Sequence, residues 1–174
     1  VGNATPVTLT GDDAGVVVSG VDKLELRPPD GSWGVYQAPV TFAGLNDGPV
    51  TVDHRAVDKA TNTEEFHRLT ISLDATPPVT SLSPGLPNYS DAAGTTYITS
   101  ATLLTLTAFD ALSGVSATEY KSDAAAWTPS APFTLSSEGN HTIFYHSKDN
   151  VGNQETDKSF VAVVDNTAPV TIIT

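Results

Sequence analysis

Apolar residues recur at every second position along much of this chain, and no stretch carries the three-to-four spacing of an amphipathic helix. Val50, Val52, His54 and Ala56 alternate with Thr51, Asp53, Arg55 and Val57; His141, Ile143, Tyr145 and Ser147 alternate with Thr142, Phe144, His146 and Lys148. The same period holds over Leu69, Ile71 and Leu73, over Phe160, Ala162 and Val164, over Leu104, Leu106 and Ala108, and over Leu24 and Leu26. Successive side chains of a strand point to opposite faces, so each segment turns one row toward a core and the other toward water. Gly, Pro, Asn and Asp separate the segments, which predicts an all-β sandwich of short strands without a helix longer than a turn or two. The inward row is expected to include Leu24, Leu26, Val52, Ile71, Leu104, Leu106, Ile143, Tyr145 and Ala162. His54 and His141 fall on inward faces too, as core or rim histidines.

The punctuation occurs twice. Asp58-Lys59-Ala60-Thr61-Asn62-Thr63-Glu64 returns as Asp149-Asn150-Val151-Gly152-Asn153-Gln154-Glu155, and Asp74-Ala75-Thr76-Pro77-Pro78-Val79-Thr80 returns as Asp165-Asn166-Thr167-Ala168-Pro169-Val170-Thr171. Both pairs are 91 residues apart (149 − 58 and 165 − 74). A fixed period of this kind predicts tandem modules, here residues 1–76 and 77–168. Trp33 and Trp127 repeat as well, followed by Ala38-Pro39 and Ala131-Pro132. A large ring in a small module is expected to pack inward as a core anchor.

The ends are out of phase with the modules. Pro6-Val7-Thr8-Leu9-Thr10 matches Leu103-Leu104-Thr105-Leu106-Thr107, so the first module begins without a counterpart of Pro78-Val79-Thr80-Ser81-Leu82-Ser83. Residues 169–174, Pro169-Val170-Thr171-Ile172-Ile173-Thr174, repeat that opening segment at the far end. They are expected to be the first strand of a following module in an excised array, or a strand donated to a neighbouring chain with an open sheet edge at residues 7–10.

Composition narrows the function. The 174 residues carry a net charge of −12, spread over both modules, which disfavours nucleic acid and anionic lipid as partners and favours divalent cations. The chain has no cysteine, so no disulfide supports either core. No apolar run approaches the roughly 18 residues of a membrane-crossing helix. Val1-Gly2-Asn3 carries neither a basic n-region nor an apolar h-region, as expected of a mature or excised segment. Nothing matches a nucleophile elbow, a phosphate loop or a zinc signature, and a non-catalytic role is expected. Asn3, Asn88 and Asn140 head glycosylation sequons.

A resemblance adds to this reading. Thr107-Ala108-Phe109-Asp110-Ala111-Leu112-Ser113-Gly114-Val115, then Tyr120, Trp127, Ala131-Pro132-Phe133 and Glu138-Gly139-Asn140-His141-Thr142-Ile143 carry it, with Asp149 to Glu155 and Asp165 to Pro169 as quoted above. Together they resemble the bacterial immunoglobulin-like repeats of large secreted and cell-surface proteins, and within that group the outer-membrane-protein "β-barrel" repeat. The likeness covers most of residues 79–171. The first module departs from it by the insertion Val16-Val17-Val18 and by Thr61 in place of glycine. The resemblance implies two tandem immunoglobulin-like (fibronectin-III-like) sandwiches. It also implies an extracellular role in adhesion, display or spacing, often with bound calcium, and neighbouring modules or identical subunits as partners.

In a sandwich of this type the loop after the second strand and the loop between the last two strands lie at one end, where the chain also enters. The linker Asp74 is therefore expected to approach Asp110 and Asp149, with the carbonyls of Asn150 and Asn153 nearby, in a set suited to calcium. The same residues make good turns without metal, since Asp-x-x-Gly-Asn closes on itself and Asp-x-Thr-x-Pro bends a linker. Both readings stay open on sequence alone. A glycan ligand is a third function class, for which Phe109, Phe144 and Trp127 would have to form an exposed aromatic row.

Overall fold

The computed structural model describes residues 1–173 and divides the chain into two compact units, Val1–Thr76 and Pro77–Thr174. Among the described residues there is no helix. In unit 1, β1 (Val21–Arg27), β2 (Gly34–Val35), β3 (Gly48–Asp58) and β4 (His67–Leu73) form one antiparallel sheet in the order β2-β1-β3-β4. An antiparallel bridge Val7↔Val40 and a parallel bridge Gly2↔Asp74 tie down the remaining segments. Val50 and Val52 of β3 and Leu73 of β4 meet Phe42 in a buried cluster, with Val7, Val40, Leu69 and Ile71 packed against it.

Unit 2 is more complete. β5 (Val79–Pro84) pairs with β8 (Leu104–Phe109), and Leu104 bridges to Phe133. The opposing sheet runs β10-β9-β11-β12-β7-β6, from β6 (Asn88–Ser90), β7 (Thr96–Ile98), β9 (Val115–Ser122), β10 (Thr128–Pro129), β11 (Gly139–Asp149) and β12 (Lys158–Val164). All its pairings are antiparallel except β7 with β12. Ile98, Leu104, Leu135, Ile143, Tyr145, Ala162 and Val164 are buried between the sheets, backed by Leu82, Leu106, Tyr120, Phe133 and Phe160. This is an all-β sandwich held by alternating inward rows, and burying each such side chain contributes about 1.5–3 kcal/mol. Tyr120 and Phe133 stack with centroids 3.8 Å apart, as the aromatic pair of this core.

The inward rows fall where the alternation puts them, with instructive exceptions. Leu24 is only half-buried and lines a cavity. Val57 and His146, on the outward rows, are buried. Val57 is covered because the turn after β3 folds back to bridge it to Thr63, and His146 because Trp127 lies over it at 4.2 Å.

Both tryptophans correct the sequence expectation. They are half-buried and lie outside both core clusters, on the outer face of their sheets. Trp33 packs on the guanidinium groups of Arg55 (4.2 Å) and Arg27 (5.0 Å), and Trp127 on Lys121 (4.8 Å). The physical cause is the charged outward row: a cation against a ring face gains about 0.5–1 kcal/mol, and aliphatic side chains already fill the interior. The two ends of the chain also differ from expectation. Residues 8–10 form no strand, and residues 165–173 form none either, with Val170, Ile172 and Ile173 fully open to solvent. Thr174, the last residue of the expected terminal strand, lies outside the described residues.

Candidate metal centre

The turn between β11 and β12 is organised around one carboxylate. Asp149 is almost wholly buried, and its Oδ1 accepts the backbone N–H groups of Val151 (2.9 Å), Gly152 (2.7 Å) and Asn153 (2.8 Å). Its Oδ2 accepts the Asn153 side-chain amide at 2.7 Å. Gly152 sits at φ +101°, the left-handed conformation that such a turn needs and that glycine takes without strain. Burial by itself pushes the Asp149 carboxyl up. The bonds from Asn153, Val151 and Gly152 outweigh burial and hold it below the usual carboxylate range.

The loop between β8 and β9 repeats the device with Asp110, whose Oδ1 accepts Leu112 N–H at 3.1 Å and Gly114 N–H at 2.7 Å. Asn150 staples the two loops, donating its amide to the Ser113 carbonyl (2.7 Å) and the Gly114 carbonyl (3.0 Å). Unit 2 thereby brings Asp110 and Asp149 together, each with a carboxylate oxygen within 4.8 Å of the other's. Oxygens at that separation suit one hard cation with ligand distances of about 2.3–2.6 Å. Oδ2 of each carboxylate is the less committed oxygen. The amides of Asn150 and Asn153 hold the loops through nitrogen, so any metal contact would use their carbonyl oxygens.

Asp74 belongs to unit 1, where it closes β4. Its N–H donates to the Val1 carbonyl at 2.9 Å, and its Oδ1 accepts Thr76 N–H at 3.2 Å. The linker after it is held by Asp47, which accepts Ala75 N–H at 2.6 Å and the Thr76 hydroxyl. The end of unit 2 copies this arrangement: Thr167 N–H donates to Asp165 Oδ1 at 3.0 Å and its hydroxyl to Glu138 Oε1 at 2.7 Å. Asp47 and Glu138 stand 91 residues apart, and repeat spacing is the signal that could have picked them out. In unit 1 the turn counterpart of Asp149 is Asp58, which accepts the Asn62 N–H and amide, both at 2.7 Å, with Thr61 at φ +69°.

A second buried polar group escaped the sequence reading. Glu155 accepts the Ser147 N–H at 2.9 Å, the Thr80 N–H at 3.2 Å and the Thr80 hydroxyl. Lys158 pairs with Glu155 at 2.8 Å and donates to the Thr80 carbonyl at 2.8 Å. The network locks β5 to β11 and β12 through one threonine. The polar Ser147 at an inward position was the available hint. Its hydroxyl indeed meets Thr80 (2.5 Å) and Thr118 (2.7 Å).

An aromatic row does not form. Phe144 and Trp127 share Lys121 on one sheet, whereas Phe109 lies on β8 of the other.

No protein-family model matches the sequence, and no curated protein does. Two solved structures are similar. The fibronectin(III)-like modules of Clostridium thermocellum CbhA share 20% identity over 91% of this chain and 83% of theirs, with a TM-score of 0.43. A tetra-tandem repeat in the extending region of a large adhesion protein shares 17% identity over 86% of this chain and 43% of its own, with a TM-score of 0.32. The sandwich assignment rests on the strand order and cores described above.

Proposed function

We propose that this chain is a non-catalytic pair of immunoglobulin-like modules, of the outer-membrane-protein "β-barrel" repeat type, working outside the cell as a spacer or display arm. Its partners in this reading are neighbouring modules or identical subunits. The observation that carries the proposal is the repeated exit clamp: Asp47 on Thr76 and Glu138 on Thr167, each followed by Pro-Val-Thr. A stretch that fixes the direction of departure twice, at one period, is suited to continuation as an array. Each unit has its own core, so a fragment of residues 77–168 should unfold cooperatively by itself. A fragment that fails to fold would remove the modular reading.

Calcium belongs to the same proposal. Asp110 and Asp149 supply two carboxylates, Asp74 from the linker is the third, and the carbonyls of Asn150 and Asn153 complete an oxygen set. A ligand that binds only the folded state stabilises it by about 2.7 kcal/mol at 100 times Kd. Calcium should therefore raise the melting temperature, a chelator should lower it, and Asp110→Asn should erase the difference while keeping its turn. Superimposable melts with calcium and with chelator would leave these carboxylates as turn formers.

A further inference from the structure

Unit 1 contains a cavity of about 530 Å³ whose lining includes Leu9, Gly11, Leu24, Ala56, Glu64 and His67. The two units show what is missing from it. Glu64, Ala56 and His67 stand 91 residues before Glu155, Ser147 and Lys158. The local geometry repeats as well: Ala56 N–H donates to Glu64 at 2.9 Å as Ser147 N–H does to Glu155, and His67 meets Glu64 at 2.8 Å as Lys158 meets Glu155. In unit 2 Thr80 of β5 plugs this position, and the Glu155 side chain is only 7% exposed. In unit 1 the described residues include no such strand, and the Glu64 side chain is 45% exposed.

The absent strand also explains residues 8–10. Their counterpart β8 is a strand because β5 pairs along it. The registers correspond at an offset of 97, since Val7 bridges to Val40 as Leu104 does to Phe133, and Thr5 N–H donates to the Gly2 carbonyl as Thr102 N–H does to that of Thr99. The chain carries a segment of the required chemistry elsewhere. Pro169-Val170-Thr171 repeats Pro78-Val79-Thr80, and Ile173 stands where Leu82 packs against the core of unit 2. That segment is exposed and unpaired as a strand, with Ile172 79% and Ile173 95% exposed.

We propose that the slot of unit 1 receives residues 169–173 of a second copy of this chain as an added β-strand. By the register of β5 on β8, Thr171 falls opposite Gly11, Ile172 opposite Thr10 and Ile173 opposite Leu9. The Thr171 hydroxyl and N–H donate to the Glu64 carboxylate, which has hydrogen-bonding capacity facing the cavity. His67 takes the place of Lys158 beside the Thr171 carbonyl. Ile173 covers Leu9 and Leu24. An extended segment gains affinity from main-chain bonds and specificity from alternate side chains, here threonine and isoleucine. The inference rests on the modular equivalence of the two units and is independent of calcium.

The test uses the absence of cysteine from the natural chain. The double variant Thr10→Cys, Ile172→Cys of the full chain is oxidised at the highest soluble concentration, and sedimentation is measured in parallel on the unaltered chain. Facing positions should yield disulfide-linked dimers and longer chains, whereas Thr8→Cys with Ile172→Cys, displaced by two residues, should yield few. Ile173→Asp should weaken association at least about tenfold, and a synthetic peptide of residues 168–174 should compete. An unaltered chain that stays monomeric with no intermolecular disulfide overturns the proposal. So does a disulfide that closes within one chain, or association unaffected by Ile173→Asp.

Discussion

Single carboxylates do more to shape this protein than its composition suggests. Asp149 gathers three backbone N–H groups and an amide around a buried side chain, so Asp149→Ala leaves several donors without an acceptor. Hydrogen bonds to a charged group contribute about 1.5–3 kcal/mol, and the substitution should destabilise unit 2 by about 3 kcal/mol in urea unfolding. Titration follows the same geometry, with two signs. The carboxyls of Asp149, Glu155 and Asp53 are held below their usual range; for Asp53 the cause is first Arg68 and then Arg27. Their contribution is present above the unfolded carboxylate values near pH 4 and is lost as pH falls through the lower folded values. His141 runs the other way. Its hydrogen bond to Asp123, 2.7 Å, and its contact with the Ser137 carbonyl raise its pKa, so its contribution is complete below about pH 6.5 and fades as pH rises through the raised value. Melting temperatures of the natural chain and His141→Phe, measured from pH 5 upward, should converge on the alkaline side.

At the scale of strands, much of the fold was legible. Period-two alternation picked out Val52, Leu104, Ile143 and Ala162, all buried, because each sits in a strand with one dry face. Alternation does not govern what loops lay over the wet face, and there the reading failed. Trp33 and Trp127 come from the short edge strands' neighbourhood and cover cations rather than core. Asp110 and Asp149 were legible as turn residues, but the competition of their turn bonds with a metal was a matter of oxygen-by-oxygen geometry. Glu155 was illegible because its burial depends on β5, which lies 75 residues from it in the chain. The energetic contrast is testable. Ile143→Ala opens a cavity in a closed core and should cost about 3–5 kcal/mol. Trp127→Ala strips an outer cover and should cost less in the same unfolding measurement.

For the whole molecule, the parallel pairing of opening and closing segments decides how each unit bears a pull. In unit 2, β7 and β12 pair at Thr96, Tyr97 and Ile98 with Ala162, Val163 and Val164; in unit 1 the counterpart is the single bridge Gly2↔Asp74. Parallel neighbours drawn from opposite ends slide along each other, so their hydrogen bonds are loaded together and break together instead of one by one. Tension along the chain is therefore resisted in shear by both units, and more strongly by the one with the longer pairing. Single-molecule stretching should show two rupture events, unit 1 yielding at the lower force. Val163→Pro, which removes one donor from β12, should lower only the second.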